Sequence, residues 1–196
     1  DKAIRSDYVS VTLQYKDYGK TQGFPFKFNI ELNYVLNKNG IILSVKVANK
    51  GKKAFPFTLG WHPYFYSKNL DNSTIDFRSN TKYVFDNQQI ISGTRDLDVE
   101  MPFQLKAVKL DDGYPLKTNE VDFSTPEYSF NIISTSKENF LQLYTPEDQD
   151  IIAIEPMTGA ADNFNNEIGL QTLQPNETYK VKWFMAIEAK KNKNKY

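Results

Sequence analysis

Two residues in this sequence have a type and a setting that could do chemistry, His62 and Glu155, and each is followed at once by a proline. His62 is the one histidine among 196 residues and stands in FPFTLGWHPYFY, Phe55 to Tyr66, surrounded by aromatic side chains. Proline fixes its own φ and biases the preceding residue toward extended backbone, which predicts His62 at the very end of a strand. Imidazole titrates near neutrality, so a histidine that a rigid sheet hands to solvent can give and take a proton. The plain alternative is a hydrogen-bonded, inert imidazole. Glu155 closes the apolar run Ile151 to Pro156, and such a run predicts a partly desolvated carboxyl at the mouth of a strand. Desolvation raises a carboxyl pKa toward the range useful for a base. Its plain alternative is a strand-end glutamate paired with a lysine.

The elements that must position these two residues read as strands. Tyr8 to Tyr15 alternates, and Phe26 to Leu36 and Ile41 to Asn49 form a hairpin around NKNG, Asn37 to Gly40, where Asn39 and Gly40 can both take φ > 0. Further short strands are expected in STIDF, KYVFD, QQIIS, FQLKAVKL, YSFNIIST, FLQLYTP, DIIAIEP and YKVKWFMAIEAK. No window carries a helical apolar stripe, so the expectation is an all-β, antiparallel fold in a single domain over residues 1–196. The basic end, residues 190–196, is expected to be a frayed tail.

Composition narrows the function further. Lysine plus arginine equals aspartate plus glutamate at 24 each, so no global field draws in nucleic acid or an anionic membrane surface. The absence of cysteine excludes disulfides and thiolate metal sites. No apolar run approaches the roughly 20 residues that span a bilayer. The chain opens DKAIRSDYVS, in strand-like sequence without an initiator methionine or a recognisable signal peptide, as expected of a mature form or a fragment. A cytoplasmic location is the expectation.

Taken together, GWHPYF at Gly60 to Phe65 and EPMTGAADNFN at Glu155 to Asn165 resemble the aldose 1-epimerase (mutarotase) family, in its order and separation. FLQLYTP before the second motif and the ending Gly169 to Glu188 are also similar to that family, so the resemblance covers essentially the whole chain. It implies a large antiparallel β-sandwich of the galactose mutarotase type, a supersandwich, acting on an aldose of the glucose or galactose type. It further implies that His62 protonates the pyranose ring oxygen and that Glu155 removes the proton of the anomeric hydroxyl. Opening a hemiacetal requires one group for each of these transfers. Neither a metal nor a redox cofactor is needed. The two groups are expected on opposite sides of the sugar.

The resemblance also places an aspartate between the motifs, shortly before an aromatic residue, to hold sugar hydroxyls. Here that is Asp111, three residues before Tyr114, with Asp112 as the alternative and a simple DDG turn as the plain explanation. Trp61 and Tyr64 are candidates to stack on a sugar face, or else core aromatics, and Asn163 and Asn165 are candidates to line the mouth. One departure stands out. The family's N-terminal portion, with an arginine and a histidine-glycine motif that help hold the sugar, has no counterpart here, so the N-terminal strands of the fold are expected to be absent. Edges exposed in that way invite self-association. A non-catalytic carbohydrate-binding module using the same cleft is the alternative function. A phosphorylated hexose would call for clustered arginines, and Arg5, Arg78 and Arg95 are scattered.

Overall fold

The computed structural model describes residues 1–147 and 150–190. In chain order the strands are β1 (Lys2–Ile4), β2 (Tyr8–Tyr18), β3 (Lys27–Asn37), β4 (Gly40–Asn49), β5 (Phe55–Phe57), β6 (Tyr64–Tyr66), β7 (Thr74–Phe77), β8 (Thr81–Phe85), β9 (Ile91–Asp96), β10 (Phe103–Gln104), β11 (Asp111–Pro115), β12 (Glu120–Ser124), β13 (Tyr128–Ser134), β14 (Phe140–Tyr144), β15 (Ile151–Met157), β16 (Gln171–Leu173) and β17 (Thr178–Ala189). The one α-helix among the described residues, α1 (Asn163–Asn166), is a single turn. The fold is all-β and antiparallel, as the alternation predicts.

A nine-stranded sheet in the order β1-β2-β3-β4-β17-β13-β12-β7-β10 forms one layer. Its long strands share a period of two, so most register rows are alike in polarity. Val11, Tyr34, Leu43 and Trp183 stand side by side on one face. The opposite face carries Gln14, Glu31 and Lys46, joined by hydrogen bonds of 2.9 and 2.7 Å. The second layer is the four-stranded sheet β11-β14-β15-β6. It lays Tyr114, Leu141, Leu143, Ile152 and Ile154 on the apolar face of the first, and all five are buried. Burying each such aliphatic side chain contributes about 1.5–3 kcal/mol, which fixes how the second sheet sits. Phe65 of β6 locks the layers together, its ring 4.3 Å from that of Phe130.

This cover stops short of the edge. On β4 and β17, Leu43 and Trp183 are buried, whereas on β2 the same face leaves Leu13 and Tyr15 52% and 54% exposed. The apolar surface of the sheet therefore extends past its second layer.

Several local expectations are corrected. The β3–β4 turn places φ > 0 at Gly40 but not at Asn39; instead the Asn39 N–H donates to the Asn37 side chain at 2.8 Å. Gly40 is required because a Cβ there would collide with the backbone of Met185 on β17. The run FQLKAVKL is extended only at Phe103–Gln104, since Ala107 turns the chain with φ 53°. DDG is not a turn but the start of β11, and EVDFS forms β12, which its mixed composition hid. Of the expected tail, Lys190 is anchored. Its N–H donates to Glu127 at 2.8 Å, and its ammonium donates to Ser124 and Thr125, both at 2.6 Å. Residues 191–196 lie outside the described residues.

Candidate active site

Both proline-flanked residues lie at one seam, where β6 meets β15. Tyr64 pairs with Ala153, and four residues further out Gly60 pairs with Met157. Counting inward from these pairs sets His62 directly opposite Glu155. The flanking pairs are half-made. Trp61 N–H donates to Pro156 O at 3.1 Å and Ile154 N–H donates to Pro63 O at 3.3 Å, but neither proline has an N–H to return. His62 and Glu155 thus form the non-hydrogen-bonded pair between two weakened rungs, the position at which cross-strand side chains come closest. Two sequence expectations are corrected by this. His62 precedes a strand instead of ending one, and Glu155 sits inside β15, two residues before its end.

Alternation carries the same face across the sheet. Glu155 pairs with Gln142, and Gln142 with Gly113, completing a row of His62, Glu155, Gln142 and Gly113. The neighbouring row is Tyr64, Ala153, Tyr144 and Asp111. His62 Nε2 lies 3.2 Å from Glu155 Oε1, with the histidine side chain 54% exposed and the glutamate 12%. The Tyr64 ring lies 5.1 Å from that of His62, tilted by 34°. Gln142 Nε2 donates to Asp111 Oδ1 at 2.8 Å. Burial raises the Glu155 pKa above the ordinary glutamate value, the Asp111 charge adds to the rise and His62 opposes it. The two rows thus present an imidazole and a carboxyl in contact, a bound amide and a second carboxylate, all on the face turned away from the core.

The expected separation of His62 and Glu155 is also corrected, since they are neighbours and not opposed across a cleft. Their contact suits a hemiacetal all the same. The anomeric oxygen and the ring oxygen share one carbon, so two adjacent side chains can reach both.

The other candidates divide by face. Asp111 faces the row, whereas Asp112 points the other way and pairs with Lys82 at 2.7 Å, which separates the two alternatives. Tyr64 faces the row. Trp61 does not; it alternates to the opposite side and packs against the core. Asn163 is a further correction, because it is 2% exposed, starts the single turn of α1 and packs its amide against Gly159 instead of lining a mouth. Asn165 bonds back to Asp162 at 2.6 Å. Gln142 was missed. Its signal was the lone polar residue in FLQLY, placed by period two opposite Leu141 and Leu143. A cavity of about 380 Å³, lined by residues including Phe77, Arg95 and Asp112, lies on the other side of β11 and does not include His62 or Glu155.

The sequence model of aldose 1-epimerases matches residues 2–184. The chain belongs to the aldose 1-epimerase family. Among curated proteins of similar sequence, the uncharacterized protein YihR of Escherichia coli K12 is 24% identical over 171 residues, covering 81% of this chain and 56% of that protein. The chain spans less than two thirds of the length of the curated relatives it matches. The aldose 1-epimerase fold is shared with solved structures. A galactose mutarotase-like protein from Clostridium acetobutylicum superposes with a TM-score of 0.83 at 16% identity, covering 97% of this chain and 65% of that one. Galactose 1-epimerase from Lactobacillus acidophilus NCFM gives 0.75 at 16% identity, covering 96% and 65%. In this member of the aldose 1-epimerase family, the residues GWHPYF and the start of EPMTGAADNFN are the two sides of the β6–β15 seam.

Proposed function

We propose that this face interconverts the α and β anomers of an aldose of the glucose or galactose type, as an aldose 1-epimerase. The observation that supports it most is the direct apposition of a solvent-facing imidazole and a carboxyl whose pKa burial has raised. Glu155 takes the proton of the O1 hydroxyl while protonated His62 delivers one to the ring oxygen. The C1–O5 bond breaks as the C1=O1 carbonyl forms. After rotation about C1–C2, the O5 hydroxyl adds to the other face of C1, returning its proton to His62 as Glu155 returns its own to O1. All electrons and protons are restored, with no metal or redox cofactor in the scheme. An equatorial O2 is the next oxygen along the ring edge after O5 and O1, as Gln142 is the next side chain after His62 and Glu155. We therefore assign O2 to Gln142 and to Asp111, which holds its amide.

A non-catalytic carbohydrate-binding module is the second reading, favoured by how open the row is at His62. Polarimetry of freshly dissolved α-D-glucose and α-D-galactose separates the two, with the chain and with Glu155→Gln. Acceleration by the wild type, cut by about 100-fold or more in the variant, is expected. Binding without acceleration in either protein would make this a binding module.

A further inference from the structure

The row does not end in open solvent. The β8–β9 hairpin folds over its far end, where Tyr83, Phe85 and Ile91 pack with Phe140, Met157, Ala160 and Ile168. Gly113 is what admits this roof. A Cβ on Gly113 would lie 3.0 Å from Gln142 Oε1, 3.1 Å from the Tyr83 ring and 3.2 Å from Phe85 Cζ. Gln142 and the two aromatic rings therefore converge on one backbone point. The β8–β9 register slips between Val84 and Phe85, a bulge of the kind that re-aims a side chain. Phe85 is the partly exposed member of the pair, whereas Tyr83 is 5% exposed.

We infer that Phe85 is a specificity-determining residue that closes the site around the C2 substituent, admitting a hydroxyl and excluding a 2-acetamido group. The inference rests on the proposed anomer exchange, which directs O5, O1 and O2 to His62, Glu155 and Gln142 in turn. A hydroxyl at C2 reaches Gln142 beneath the ring edge of Phe85. An acetamido group, several atoms longer, runs into the rings of the roof. Such a roof discriminates by clash.

The experiment measures anomer exchange and line broadening by NMR for D-glucose and N-acetyl-D-glucosamine with the wild type, Phe85→Ala and Phe85→Leu. The wild type is expected to favour glucose, and Phe85→Ala to shift the ratio toward N-acetyl-D-glucosamine by at least about tenfold, with Phe85→Leu between them. A wild type indifferent to the acetamido group, or a ratio unmoved in the variants, overturns the inference. If Phe85→Ala fails to fold, Phe85→Leu decides by the same ratio. Glucose that binds without exchanging removes the catalytic reading but leaves the selectivity ratio measurable by line broadening. Glucose that neither binds nor exchanges removes both.

Discussion

Glu155 works against the stability of its own fold. Its pKa is raised chiefly by burial, so its ionised form is disfavoured in the folded state relative to the unfolded chain. A carboxyl shifted in this direction favours folding when protonated, and that contribution is lost as pH rises through the folded pKa. Glu155→Gln is therefore expected to raise Tm at neutral pH by about 2 °C, a gain that vanishes in acid, alongside the loss of acceleration proposed above. Thermal melts at several pH values check this, and a melting point lowered at neutral pH would show the carboxylate to be a structural partner of His62. On the proposed mechanism the same shift moves the acid limb of the pH–rate profile above the ordinary glutamate range, because only an ionised Glu155 can accept the O1 proton. At this scale the sequence was most informative where a side chain's chemistry is scarce, as with His62. It was least informative about which way an aromatic or amide points. Trp61 and Tyr64 stand three positions apart and so face opposite sides of one sheet, but that follows only once the extended phase is known to run through Pro63.

At the scale of elements, the site is made by register. Gly113 carries no functional group, yet its missing side chain lets the β8–β9 hairpin rest on β11. Gly113→Ala is expected to destabilise the protein by about 1–3 kcal/mol, the usual cost of overpacking, and to displace Gln142. Urea denaturation measures the first effect. The long strands β2, β3, β4 and β17 were legible because strict alternation survives in them. β11 and β12 were not, because Asp111–Gly113 carries turn residues into a strand and Glu120–Ser124 has only Val121 and Phe123 as an apolar signal. In both, pairing with β14, β13 and β7 supplies what local preference lacks.

For the molecule as a whole, the two layers differ in extent. β1 covers the outer edge of β2 only from Val9 to Val11, so beyond Thr12 that edge has no strand partner among the described residues, and Leu13 and Tyr15 face outward beside it. A second copy offering the same edge in antiparallel sense would pair with it, since one strand is complementary to itself about a two-fold axis. Sedimentation velocity is expected to show concentration-dependent dimers that Leu13→Lys weakens. A monomer at every concentration would sink this expectation.

The two prolines at the seam have a mechanical consequence. β6 is fastened beyond them, where its Phe65 ring is clamped in the core and its Tyr66 carbonyl accepts a bond from the Tyr128 hydroxyl at 2.5 Å. Around His62 it is held by single rungs, each lacking its return bond. On the other side Thr158 N–H donates to Leu59 O at 2.8 Å and Leu59 N–H donates to the Thr158 hydroxyl at 3.0 Å, so the stretch that carries the histidine is pinned at both ends and thinly held between them. His62 can bow away from Glu155 like a string between two posts, while the glutamate stays seated in the sheet.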